Sequence, residues 1–151
     1  MRCPPVRLLT TGYEGENVEA WIDRLRSAGV TLVVDVRERT ASRKKGFSKN
    51  TLQSLLAAQG IRYVHLPRLG TPPEMRRQYH QDRDVDAFMR RFEAHLDGQE
   101  DALRELSRIA EGETACLVCF ERDPRLCHRW AIARRLEKSE PGKWEIVHLQ
   151  P

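Results

Sequence analysis

The feature that most limits the fold is a regular exchange between two hydrophobic periods. Thr31 to Val36, TLVVDV, is a β-branched apolar run too short for a helix. It reads as a strand buried on both faces, the kind a parallel sheet uses. On either side the pattern changes. Before it, Asn17 stands as an N-cap to VEAWIDRLRSAG, in which Val18, Ile22 and Leu25 share one helical face and Gly29 ends the turn. After it, a charged stretch leads to Ser48, a cap for a helix carrying Leu52, Leu55 and Leu56 that Gly60 closes. Arg7 to Thr11 reads as a first strand, IRYVHLP as a third that Pro67 stops, TACLVCF as a fourth and KWEIVHL as a last. Stripes at Val85, Phe88, Met89, Phe92 and Leu96, and at Leu103, Leu106 and Ile109, predict two helices before the fourth strand. Another is expected from about Pro124 to Lys138. The polar stretch RLGTPPEMRRQYHQDRD, with its adjacent prolines, reads as a long loop of the kind that carries function or moves.

The resulting order, β-α-β-α-β-α-α-β-α-β, predicts a three-layer, Rossmann-like α/β sandwich around a mostly parallel five-stranded sheet. With 151 residues, a single α/β domain over positions 1–151 is expected, large enough to bury a core without staples. No apolar run reaches the roughly 18 residues that cross a bilayer. The opening MRCPPVRLLT lacks the apolar stretch of a signal peptide. A cytoplasmic protein with no membrane partner is therefore expected. There, Cys3, Cys116, Cys119 and Cys127 are thiols by default, and metal ligands or nucleophiles by exception. The formal charge of +4, carried mostly by arginine, suits an anionic partner without requiring one. The oligomeric state is not legible.

In parallel α/β sheets ligands bind beyond the carboxyl ends of the strands. That rule points to Tyr13 and Glu14, Asp35 and Arg37, His65 and Arg68, and Cys119 and Glu121. The densest group lies in LVCFERDPRLCHRW, Leu117 to Trp130. Asp123 before Pro124 has the form of an N-cap followed by proline in the first turn. A helix start of this kind, with Arg125 and Arg129 nearby, can hold an anion, or Asp123 can satisfy the same donors itself.

Together the segments TGYEG, VVDVRERTASRKKGFSKNTL, GIRYVHLPRLGTP and LVCFERDPRLCHRWAIARRL resemble the domain-of-unknown-function 488 family, from about Leu8 to Leu136. The block CFE-x-D-P-x-x-C-H-R is the most specific part. Thr40 stands where the family usually has proline between its DVR and SR elements. The resemblance implies that Tyr13, Asp35, Arg37, Ser42, Arg43, Phe47, Ser48, Cys119, Glu121, Cys127, His128 and Arg129 belong to the family motif. It implies no activity.

The residues themselves support several chemistries. Cys119, near a helix start and basic groups, is the best nucleophile, with His128 as its base. The spacing to Arg125 matches the Cys-x5-Arg loop of cysteine phosphatases, and DVRE has a rhodanese-like look, yet CFERDPR has no glycine to open an anion cradle. The alternative is a buried structural thiol. Zinc on Cys116, Cys119, Cys127 and His128 is disfavoured. Cys116 and Cys119 alternate to opposite faces of a strand, and Cys127 and His128 would diverge by about 100° on a helix. No residue is therefore assigned to metal, although a smaller set with Glu121 or Asp35 stays open. A divalent ion is compatible but not required. Asp35 and Glu121 are acid/base candidates, or partners of neighbouring arginines. From Arg37 to Lys49, six cations (Arg37, Arg39, Arg43, Lys44, Lys45 and Lys49) face Glu38 alone, with Phe47 among them. That suits a phosphate backbone and a stacked base, or else a solvated loop whose Phe47 folds into the core.

The expectation is an enzyme acting on, or a protein binding, a phosphorylated or polyanionic substrate, nucleic acid or nucleotide, at the strand ends. Tyr13, Arg37, Ser42, Arg43, Lys49 and Arg129 would hold the anion. Asp35, Cys119, Glu121, Cys127 and His128 would carry the chemistry. The competing expectations are a non-catalytic nucleic-acid-binding or adaptor module, and a cysteine-dependent, rhodanese- or phosphatase-like enzyme.

Overall fold

The computed structural model describes residues 4–42, 44–121 and 127–149. The expectations for Cys3, Arg43, Asp123, Pro124 and Arg125 fall outside the described residues.

Five strands form one sheet: β1 (Val6–Gly12), β2 (Leu32–Asp35), β3 (Arg62–His65), β4 (Ala115–Cys119) and β5 (Trp144–His148). Their spatial order is β3-β2-β4-β1-β5, and every neighbouring pair is parallel. The apolar runs explain the arrangement. Every residue of β2 and of β4 is buried, because alternate side chains serve two cores. Leu32, Val34, Leu117 and Cys119 pack on one side of the sheet, and Val33, Cys116 and Val118 on the other.

The helices divide between the same two cores. Helices α1 (Val18–Ser27) and α2 (Lys49–Ala57) bury Trp21, Ile22, Leu25, Leu52 and Leu56 against the second set. Helices α4 (Val85–Asp97), α5 (Glu100–Ala110) and α6 (His128–Ser139) bury Phe92, Leu96, Leu103, Leu106, Ile132 and Leu136 against the first. Removing water from each such side chain contributes roughly 1.5–3 kcal/mol. The result is a three-layer α/β sandwich. Asn17 caps α1 through its side chain, accepting from Ala20 N at 2.8 Å, and Asp84 caps α4 through Ala87 N at 3.0 Å.

One sequence expectation is corrected. The stretch read as a long loop contains a short 3-10 turn (Pro67–Leu69) and a helix, α3 (Pro73–Asp82). This helix buries no residue, so it has no apolar stripe to read. Its prolines open the first turn, where a missing N–H costs nothing. The helix expected from about Pro124 to Lys138 is described from His128 to Ser139, with Cys127 as its N-cap.

The connections after β1 and β2 lead into the α1–α2 layer, whereas β4, lying between them, leads to α6 in the opposite layer. Divergence of this kind opens a crevice at the carboxyl ends of the central strands. Close packing holds its rim. A side chain on Gly70 would bring its Cβ 2.5 Å from Glu38 Cα, so the loop after β3 can lie on the loop after β2 only as glycine. Gly46 is in the left-handed region at φ 91°, and a Cβ there would meet Val18 Cγ1 at 2.6 Å.

Candidate functional site

A cavity of about 550 Å³ occupies this crevice. It collects residues from the ends of β1, β2 and β4 and from α3. Its cations are Arg37, Arg39, Arg76 and Arg83, with His80 beside them. Glu14, Glu38 and Glu121 are its acids. Tyr13, Tyr79, Phe88 and Phe120 supply rings. Phe120 is 46% exposed. It is held edge-on to Tyr13 with centroids 5.5 Å apart. Glu14 N donates to Phe120 O at 2.9 Å, which ties the exits of β1 and β4 together. Arg76 pairs with Glu38 at 3.0 Å, and the Arg83 guanidinium lies 5.7 Å over the Tyr79 ring.

One wall is a buried ion pair. Arg37 Nε donates to Asp35 Oδ1 at 2.8 Å and Nη2 to Oδ2 at 2.6 Å, a two-point fork. The remaining Nη1 donates to Phe47 O at 2.7 Å and to Tyr13 OH at 3.0 Å. Tyr63 OH donates to Asp35 Oδ2 at 2.5 Å. Asp35 is fully buried. Burial, with Asp35 and its charge close by, pushes the Tyr63 hydroxyl pKa well up. Arg37 keeps its charge throughout. Burial opposes that charge, but the hydrogen bonds and charge of Asp35 outweigh it and raise the guanidinium pKa.

The floor is a cysteine–histidine group. The sulfurs of Cys119, at the end of β4, and Cys127, before α6, meet as a disulfide pair, with Cα atoms 7.5 Å apart. His128 Nε2 donates to Val36 O at 2.6 Å, which turns Nδ1 toward Cys127 Sγ at 3.5 Å. Because a carbonyl only accepts, Nε2 carries the proton and Nδ1 presents its lone pair. Burial pushes the His128 pKa down to about 4. Arg129 donates from Nε to Thr10 Oγ1 at 3.3 Å, and from Nη1 to Glu121 O at 3.2 Å and Cys119 Sγ at 3.9 Å. Burial raises the pKa of the half-buried Glu121 carboxyl. One potential ligand atom from each of Cys119, Glu121, Cys127 and His128 lies within 4.8 Å of every other. Among the described residues, this is the group able to hold a metal.

The structure thus brings Tyr13, Arg37, Cys119, Glu121 and His128 to one cavity. Asp35 and Cys127 stand directly behind it, bonded to Arg37 and beside Cys119. Cys116 turns to the other core, as strand alternation predicts, and burial pushes its thiol up to about 12. Phe47 is fully buried and stacked on Tyr13 at 4.1 Å, so it is core and not a platform for a base. Ser42 shapes a loop by exchanging hydrogen bonds with Ser48, each at 3.2 Å. Lys49 is exposed at the start of α2 and does not line the cavity. Arg129 is fully buried. The expected divergence of Cys127 and His128 is also corrected. Cys127 has extended backbone, φ −128° and ψ 144°, so helical geometry does not separate the pair.

Sequence reasoning missed Arg76, His80, Arg83 and Phe120 as cavity residues, whereas Arg39 belongs to the basic stretch it singled out. A usable signal existed: arginine density in a proline-opened polar segment next to a predicted strand end.

A family model described as "Domain of unknown function DUF488" matches residues 17–136. No curated protein and no solved structure matches the chain.

Proposed function

The chain belongs to the DUF488 family, and we propose that this member is an enzyme that takes a phosphorylated or polyanionic substrate, nucleic acid or nucleotide, into the cavity at the carboxyl ends of β1, β2 and β4. One observation carries the reading: the exposed Phe120 ring shares an open cavity with Arg39, Arg76 and Arg83. A flat apolar face beside forked cations matches the two surfaces of a nucleotide, base and phosphate. Arg37 and Arg129 take a different role from the one their charge suggests. Each is engaged by protein acceptors, so they set the geometry and field of the site, while the α3 arginines meet the anion. Glu121, whose carboxyl is kept more basic by burial, is the acid/base candidate at the edge of the cavity. In keeping with the chemistry, the protein would work in the cytoplasm. Among the described residues no helix is long and apolar enough to cross a membrane.

The test is fluorescence anisotropy with a short labelled single-stranded oligonucleotide, with a nucleoside diphosphate and inorganic pyrophosphate as competitors. Binding should weaken steeply with salt, and each of Arg76→Ala and Arg83→Ala should lower the logarithmic salt slope by about 0.7. Phe120→Ala should cost about 1–3 kcal/mol of binding. Glu121→Gln should bind as the parent does and lose turnover. Absence of binding by all three probes at low salt would end the reading. Binding with no Glu121-dependent turnover would leave a non-catalytic module.

A further inference from the structure

The group at the cavity floor has the composition of a metal centre. We propose that Cys119, Cys127 and His128 Nδ1, with Glu121 as the fourth ligand on the cavity side, form a zinc site. The proposal is independent of the anion reading, since an ion can bind whether or not a nucleotide does, but with zinc bound Glu121 holds the ion and is released from it before it can act as acid or base.

Four features carry it. The first is convergence: four ligand atoms from β4, the segment after it and the start of α6 lie within 4.8 Å of one another. Ligands at 2.0–2.3 Å from a tetrahedral ion stand about 3.3–3.8 Å apart, so small adjustments bring this group onto one ion. The second is the cysteine backbone. Ordinary disulfides span Cα separations of about 4.4–6.8 Å. Cys119 and Cys127 are 7.5 Å apart, a separation suited to two thiolates that point at a common centre.

The third feature is the orientation of His128. Donation from Nε2 to Val36 O at 2.6 Å fixes the tautomer and aims the Nδ1 lone pair at the sulfurs. A backbone carbonyl on the remote nitrogen is the usual support of a metal-bound histidine. The fourth is charge. Two thiolates and a carboxylate carry three negative charges, and a divalent ion with the Arg129 guanidinium carries three positive ones. Arg129 Nη1 lies 3.9 Å from Cys119 Sγ, where it would donate to the metal-bound thiolate from behind. A sulfur-rich, four-ligand set selects zinc among common divalent ions. Cys119, Cys127 and His128 are buried, and Glu121 is only half-buried, so the carboxylate is the exchangeable ligand. In the reduced protein, binding displaces the two thiol protons into solvent with no redox change. A Cys119–Cys127 disulfide would first be opened to two thiols by an external thiol reductant, which leaves as its own disulfide.

The full-length protein, purified without chelator and kept reduced, should contain one equivalent of zinc by elemental analysis. Reduced apo-protein titrated with Co²⁺ should develop thiolate-to-cobalt charge-transfer absorption. Zinc-edge X-ray absorption on the unaltered protein should show two sulfurs at about 2.3 Å, a reading that does not depend on any variant folding. Cys119→Ser and Cys127→Ser should each weaken zinc at least a hundredfold, Glu121→Gln about tenfold, and Cys116→Ser not at all. The proposal is overturned if the reduced, folded protein binds no stoichiometric zinc. It is equally overturned if the absorption edge shows no sulfur, or if a Cys119–Cys127 bond persists under reductant and excludes the ion. Oligonucleotide binding lost in Arg76→Ala with zinc retained would separate the two sites.

Discussion

Arg37 lies flat against Asp35, with both carboxylate oxygens accepting from its guanidinium at 2.6–2.8 Å, although only Val36 separates the two residues in sequence. The strand ends at Asp35, and the chain turns so that Arg37 folds back over its own strand end. Its amide N also donates to Asp35 Oδ1 at 3.1 Å, which locks the turn. His65 Nε2 donates to Arg37 O at 2.7 Å and joins the exit of β3 to the same point.

This pair predicts a strong and asymmetric effect on stability. Asp35→Ala leaves the Arg37 charge buried without its carboxylate, and the loss should be about 3–5 kcal/mol in urea unfolding. Asp35→Ala combined with Arg37→Met should recover part of that loss. If the double variant is less stable than the parent by the full sum of the two single effects, Asp35 and Arg37 do not act as a coupled pair.

Gly70 should tolerate no side chain. Gly70→Ala forces the new Cβ into Glu38, where the nearest atoms are backbone and cannot swing aside. A cost of about 1–3 kcal/mol is expected, as for other overpacked sites. Because Glu38 pairs with Arg76, the same change should weaken oligonucleotide binding more than the stability loss alone accounts for. Thermal unfolding and anisotropy on the same sample check both.

Arg83 ends α3 in the left-handed region, at φ 54° and ψ 23°. A non-glycine residue there costs roughly 1–2 kcal/mol of backbone energy. Arg83→Gly should therefore raise stability by up to about 1 kcal/mol while weakening polyanion binding. A variant that loses stability would show that the Arg83–Tyr79 contact outweighs the backbone cost.

Alkaline pH should destabilise the fold through Cys116. Its thiol pKa rises from an ordinary value of 9.0 to about 12 because burial disfavours the thiolate. A raised folded pKa means the unfolded chain releases its proton first. The contribution is complete below pH 9 and is lost as pH climbs toward 12, by on the order of 4 kcal/mol. Tyr63, also shifted upward, adds in the same direction. Cys116→Ala should flatten the decline in denaturation midpoint above pH 9. In the native protein below that pH, Cys116 should resist iodoacetamide until the chain is unfolded.

Much of this architecture was legible in the linear chain, because burial leaves a local signature. Val33 between Leu32 and Val34 announces a strand with two buried faces, and the Phe88, Phe92 and Leu96 stripe announces a helix with one. The same period-2 rule correctly sends Cys116 and Cys119 apart. A helix such as α3, which has no fully buried residue and only Met75 partly packed on the core, leaves no such mark, and its sequence reads as loop.

What the tertiary structure alone decided is which residues meet. Insertion of β4 between β1 and β2 brings Cys119 beside Tyr13 and Arg37, from segments some hundred positions distant. Extended backbone at Cys127 turns its sulfur onto the same point as the His128 ring, where a continuous helix would have parted them. Hydrophobic period and turn chemistry are properties of neighbours along the chain. Strand order and the pairing of buried charges depend on the packing of all the layers at once, and no local stretch of residues encodes them.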